Sequence, residues 1–160
     1  MIFVTVGTQF PFDRLIRAVD TALEMDRINE EVFAQTGEGL YQPRRFSAAP
    51  ALDKESFDAH ITSATAIISH AGIGSMTMAM ASAKPMLVMP RLKKYGEVVN
   101  DHQVAIARKF AESGYVLLAE DENDFIKKIV ELPGFVPRHR TAKPDLVSRR
   151  VVEFLNELTV

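Results

Sequence analysis

Three clusters in the 160-residue sequence carry residues from which a binding site can be built. Two are glycine-bearing: Gly7-Thr8-Gln9 near the start, and His70-Ala71-Gly72-Ile73-Gly74-Ser75 further on. Glycine lets a backbone come close to a ligand, and where such a segment opens a helix the free N–H groups of the first turn attract phosphate. The third is Asn100-Asp101-His102-Gln103. Asn and Asp there suit a helix cap, but Asp101 and Gln103 together also offer acceptors and donors at a fixed spacing, which is what sugar hydroxyls need. Arg91, Lys93 and Lys94 precede it, either as a solvated basic stretch or as contacts for an acidic sugar or a phosphate.

Several familiar chemistries are not encoded. The second glycine segment is not the dinucleotide fingerprint, because Thr77 stands at the third glycine position, and it lacks the lysine of a P-loop. No Asp-x-Asp or His-x-x-x-His pair stands at an expected strand end, so a site without metal is expected, a diphosphate being met by helix dipoles and backbone N–H groups. His70 reads either as a hydrogen-bonded structural histidine or as a site residue. Met76, Met78 and Met80 read as pliable packing.

The elements that must position these clusters follow from hydrophobic period and turn residues. Ile2 to Val6 is apolar on both faces, as a buried parallel strand is, and ends at Gly7. Phe12, Leu15, Ile16, Val19 and Leu23 recur near a 3.6 period and predict a helix over Asp13 to Met25. Strands are expected at Glu31 to Thr36, Arg44 to Ala48, Ala64 to Ser69, Met86 to Met89 and Tyr115 to Ala119. Helices are expected at Asp53 to Ser63, Met76 to Ala83, Asp101 to Ser113, Glu122 to Leu132 and about 145–158, with Gly114 stopping one and Pro133 and Gly134 breaking the chain. Strands alternating with helices predict an α/β fold with a doubly wound, mostly parallel sheet. In such a sheet ligands bind beyond the carboxyl ends of the strands, where both glycine clusters fall.

The length suits one domain over residues 1–160. At 47% hydrophobic and 25% charged, with a formal net charge of -2, the chain has the composition of a globular domain and no bulk attraction to nucleic acid or anionic lipid. It has no cysteine, which excludes disulfides and thiolate metal sites. No apolar run approaches the roughly 20 residues of a membrane span, and the start lacks the pattern of a signal peptide, so a cytoplasmic protein is expected.

Taken together, Gly7-Thr8-Gln9, Ser69 to Ser75, Lys84-Pro85, Pro90 and Asp101-His102-Gln103 resemble the C-terminal domain of glycosyltransferase family 28 over nearly the whole chain. Within that family the likeness is to small stand-alone subunits of two-component transferases: the cytosolic subunit of the eukaryotic lipid-linked chitobiose synthase and, through Pro90 to Glu97, bacterial exopolysaccharide subunits. The resemblance implies a Rossmann-like half of a GT-B glycosyltransferase that binds a UDP-sugar. It would work as the catalytic donor subunit of an inverting hexosyltransferase, as one half of a heterodimer. A membrane-anchored partner would hold the polyprenyl-diphosphate-linked acceptor and recruit this chain to the cytoplasmic face of the membrane. Carried over by position, Gly7, Thr8, Gln9, His70, Gly72, Gly74 and Ser75 would meet the donor phosphates, and Asp101, His102 and Gln103 the donor sugar. The catalytic base would come from the partner. Met78 stands where many relatives carry an acid that grips the ribose. A different class of function remains open: a scaffold or enhancer that stabilises a partner transferase and holds no donor. The final helix packs either on its own domain or on the partner.

Overall fold

The computed structural model describes residues 1–138; the helix expected over 145–158 lies outside them. Six strands form one sheet: β1 (Ile2–Thr5), β2 (Val32–Gln35), β3 (Ser47–Ala49), β4 (Ala66–His70), β5 (Met86–Met89) and β6 (Leu117–Leu118). Their order is β3-β2-β1-β4-β5-β6, and all five pairings are parallel, so the expected doubly wound sheet is the one that forms.

Alternation along β1 divides the core. Ile2 and Val4 face α1 (Asp13–Glu24), where Leu15, Ile16 and Val19 are buried, together with Phe125 of α5 (Glu122–Lys128). Phe3 faces the opposite layer, with Ile61 of α2 (Lys54–Ser63), Met76 and Ala79 of α3 (Ile73–Ala81) and Ala107 of α4 (His102–Glu112). Each large apolar side chain buried this way contributes about 2–3 kcal/mol relative to exposure.

Local chemistry sets the boundaries. Asp53 caps α2 by accepting from the Ser56 N–H at 2.7 Å, so that helix begins at Lys54. Helix α3 begins at Ile73, three residues before the expected Met76, because Gly72 serves as its N-cap and Gly74 is tolerated in the first turn. Gly114, with φ +74°, stops α4 as expected. Helix α5 is shorter than expected: it gives way at Ile129 to a 3-10 turn running to Gly134, and Pro133, which has no N–H to give an α-helix, lies inside that turn. The region expected as a loop after β5 holds a short 3-10 turn at Lys93–Tyr95, ended by Gly96 in the left-handed conformation. Among the described residues no helix is long and apolar enough to cross a membrane.

Candidate functional site

Chain direction makes the site. From β1 the chain runs through α1 to β2 on one side, while from adjacent β4 it runs through α3 to β5 on the other. The two connections part at the carboxyl ends of β1 and β4, where a sheet of this kind leaves a crevice. A cavity of about 490 Å³ fills that crevice. Its walls are the turn after β1 (Gly7, Thr8, Gln9, Phe10), the turn after β4 (His70, Gly72 to Ser75), part of the loop after β5 (Arg91, Asn100) and the start of α4 (His102, Gln103). A separate hollow of about 390 Å³ beside Arg14, Arg17 and Tyr95 contains no strand-end glycine turn into a helix.

His70 explains two of the glycines. A Cβ at Gly72 would lie 2.2 Å from His70 Nε2, and one at Gly7 would lie 2.7 Å from Cε1, with Gly7 also at φ +74°. The imidazole is therefore held between two backbones that only glycine can supply. On its other edge Nδ1 is 3.2 Å from Ser69 Oγ. The Ser69 hydroxyl donates to Thr5 O at 2.8 Å, and the Thr5 hydroxyl donates to Gln35 Oε1 at 2.7 Å, so a buried polar chain crosses three strands beneath the cavity. Burial, aided by the charge of Arg91, pushes His70 down to about 4, so the ring is neutral at pH 7.

Gly74 is different. Among the described residues nothing lies within 4 Å of the Cβ it lacks, so there it opens onto free space. Helix α3 has no side-chain cap, and its first ladder bond is Met76 N–H to Gly72 O. The N–H groups of Ile73, Gly74 and Ser75 thus stand at the positive end of a nine-residue helix, beside the cavity.

Arg91 is not part of a solvated basic stretch: it is only 2% exposed. The sequence suggested otherwise because Lys93 and Lys94 follow; both of those are exposed and neither lines the cavity. Arg91 Nη2 donates to the carbonyls of Val6 and Phe10, which bracket the Gly7 turn, and its guanidinium carbon stands 5.1 Å from the centre of the Phe12 ring. Burial lowers its pKa to about 10, against the pull of Glu97, and it remains charged at neutral pH.

The Asn100 to Gln103 cluster splits. Gln103 lines the cavity, but its side-chain carbonyl accepts from Arg91 N–H at 3.2 Å. Asp101 is not among the cavity-lining residues, and its carboxylate accepts from Lys93 N–H at 2.7 Å. Asn100, rather than Asp101, accepts from the His102 N–H at the start of α4. Met78 packs into the core layer beneath α3, as its packing role predicted.

Residues that the sequence did not single out complete the frame. Arg14 Nε and Nη2 pair with the two Glu97 oxygens at 2.8 and 2.9 Å, Nη2 also donates to Pro90 O, and Nη1 reaches Glu122 at 3.3 Å. Hydrogen bonds and charge from Glu97 and Glu122 outweigh burial and raise Arg14 above the ordinary arginine value. Nothing in α1's sequence distinguishes Arg14 from the solvent-facing Arg17; only the fold brings Glu97 to it.

The sequence pattern of the glycosyltransferase family 28 C-terminal domain matches residues 1–143. The chain belongs to this family. Among curated relatives, human UDP-N-acetylglucosamine transferase subunit ALG13 is 32% identical over 124 residues, which is 72% of this chain and 10% of the relative; the mouse protein of the same name is 30% identical over 71% of this chain and 10% of its own length. The chain therefore spans about a tenth of these relatives. Of solved structures, an NMR structure of ALG13 superposes with a TM-score of 0.61 at 19% identity, covering 95% of this chain and 94% of that one. UDP-glucose: anthocyanidin 3-O-glucosyltransferase in complex with UDP gives 0.60 at 19% identity over 82% of this family 28 chain and 30% of its own. MurG of Acinetobacter baumannii gives 0.54 at 16%, over 84% and 45%. These likenesses establish the fold, the Rossmann-like half of a GT-B glycosyltransferase.

Proposed function

We propose that this family 28 domain is the donor-binding subunit of a two-component, inverting glycosyltransferase. It holds a UDP-sugar in the cavity between β1 and β4, and a membrane-anchored partner brings a polyprenyl-diphosphate-linked acceptor to the open side, at the cytoplasmic face of the membrane. The observation that carries this reading is the first turn of α3, which has no side-chain cap and in which Gly74 opens on a cavity that Arg91 also lines. A transferase domain with that arrangement can take up a diphosphate and stabilise it as a leaving group. The word "subunit" in the name of the human relative, and the UDP complex of the glucosyltransferase, support the two-part and nucleotide parts of the proposal.

In this mechanism the acceptor hydroxyl, deprotonated by a base from the partner, attacks the anomeric carbon as the bond to UDP breaks. Negative charge grows on the diphosphate, where the N–H groups of Ile73, Gly74 and Ser75 are already oriented. Preorganised donors of this kind contribute roughly 3 kcal/mol each to such steps. The charge is met by backbone and arginine, so this proposal uses no metal. In this reading Gln103, with Asn100 and His102 beside it on the cavity wall, meets the hexose hydroxyls, while Asp101 serves them by holding the loop. With Met78 in the core layer, ribose recognition falls to backbone or to the partner.

The test is Gly74→Val. Because the missing Cβ has free space, the variant should keep its unfolding midpoint while UDP affinity by calorimetry falls roughly tenfold or more, the loss expected when charge-assisted hydrogen bonds are blocked. Unchanged affinity would overturn the placement. If UDP and UDP-sugars give the wild-type chain no thermal protection, even with its partner present, the scaffold or enhancer function is favoured instead.

A further inference from the structure

Four consecutive backbone groups around Arg91 are each held by a side chain from elsewhere. Pro90 O accepts from Arg14 at 2.9 Å, Arg91 N–H donates to Gln103 at 3.2 Å, Leu92 N–H to Glu97 at 2.9 Å, and Lys93 N–H to Asp101 at 2.7 Å. A loop that only needed to connect β5 to α4 would not require four such clamps, since exposed backbone is satisfied by water at little cost. Their shared effect is to fix where the Arg91 side chain begins. That side chain then runs inward beneath the Gly7 turn, 2% exposed, and spends one nitrogen on Val6 O and Phe10 O. Its Nε is buried without a hydrogen-bond partner among the described residues. A guanidinium carries five N–H donors, so this one is bound by part of its capacity, and its charge stands at the edge of the cavity it lines.

Among the described residues no carboxylate answers that charge inside the cavity. Of its lining residues, His70 and His102 are the other titratable groups and none is acidic. Arg91's acidic neighbour, Glu97, is instead engaged by both Arg14 nitrogens and Leu92 N–H. A buried cation with no paired carboxylate is expensive to maintain, and the cost is recovered if an anion arrives.

We infer that Arg91 is the fixed cation of this site, a positioning and charge-supplying residue that sets the path of the Gly7 turn and makes the cavity prefer nucleoside diphosphates over uncharged nucleosides. Arg14, Glu97, Gln103 and Asp101 are the frame that aims it. This rests on the nucleotide proposal above and adds to it the origin of the selectivity for charge: a single arginine delivered from behind the turn, working beside the α3 N–H groups.

The experiment measures UDP and uridine binding to the full chain by calorimetry, in wild type, Arg91→Lys and Arg91→Gln. Lysine keeps the charge; glutamine keeps a polar side chain and loses the charge. The preference for UDP over uridine should fall roughly tenfold or more in Arg91→Gln and by less than about threefold in Arg91→Lys. A purely structural role would weaken both ligands together and leave their ratio unchanged, and that result overturns the inference while UDP binding itself still stands. If Arg91→Gln does not fold, Arg91→Lys decides, since a tenfold loss of preference with the charge retained also overturns it. A wild-type chain that binds uridine and UDP equally, or neither, removes the inference together with the nucleotide proposal.

Discussion

The turn after β4 and the loop after β5 form facing walls of one cavity, and they are built on opposite principles. The turn from His70 to Ser75 has few polar side chains and leaves its backbone N–H groups unspent. The loop from Arg91 to Gln103 is rich in polar side chains, and most of them are consumed in holding the loop itself. Side chains that look ready to bind are thus committed, while a turn that looks like mere punctuation is available. Polar composition measures what a segment can bond to, and only the fold decides whether the partner is a ligand or its own chain.

The sharpest way to break this contrast is at Arg14. Arg14→Met leaves the nearly buried Glu97 without its cation and Pro90 O without its donor, and should cost about 3–5 kcal/mol in urea unfolding. Replacing Glu97 with Met as well should recover much of that. A single-variant cost below about 1 kcal/mol would mean the loop is held by something other than this pair.

On the turn side, His70 predicts an acid-sensitive window. Folded His70 titrates at about 4 and the free group at 6.5, so between these values the unfolded chain binds more protons. Stability should therefore be full above pH 6.5 and decline as pH falls toward 4, by roughly 2–3 kcal/mol. His70→Asn should flatten the slope within that window in denaturant titrations taken at several pH values. An unchanged slope would show that the ring is not held neutral.

The smallest expected effect separates the two roles open to Asp101. Asp101→Ala removes one bond to an exposed loop, worth about 1 kcal/mol, and should weaken UDP and UDP-sugar binding equally. Loss of UDP-sugar affinity alone would return Asp101 to direct contact with the sugar.

Much of the fold was legible in the sequence because its strands are short apolar runs and its helices have strong periodic faces. Buried Leu15, Ile16 and Val19 mark α1 without ambiguity, and β5 has its expected limits. The errors have local causes. Glycine's poor helix propensity delayed the start of α3, although its N-cap is itself a glycine. Strand β6 is cut to Leu117–Leu118, because it has a ladder partner only in β5. At the site, the two glycine turns could be located from strand ends alone, but Arg91 stayed open between a solvated stretch and a contact for an acidic sugar or phosphate, undistinguished from Lys93 and Lys94. The one available signal was its position, directly after Pro90 at the carboxyl end of a strand, and the lysines that follow it disguised that signal.

The order of the sheet has a consequence for how the chain is made. Strand β1 precedes the other five strands along the chain, yet it is central: Ile2 pairs with Val32 on one edge and with Ala66 on the other. During synthesis the second edge of β1 stays open until a strand 64 positions later has left the ribosome. Loop-closure entropy makes that pairing slow, and an apolar edge waiting for its neighbour can be captured by another nascent chain. The seam between β1 and β4 thus joins strands further apart in the chain than any other pairing of the sheet, and a nucleotide bound there would fasten the joint that assembly leaves open longest.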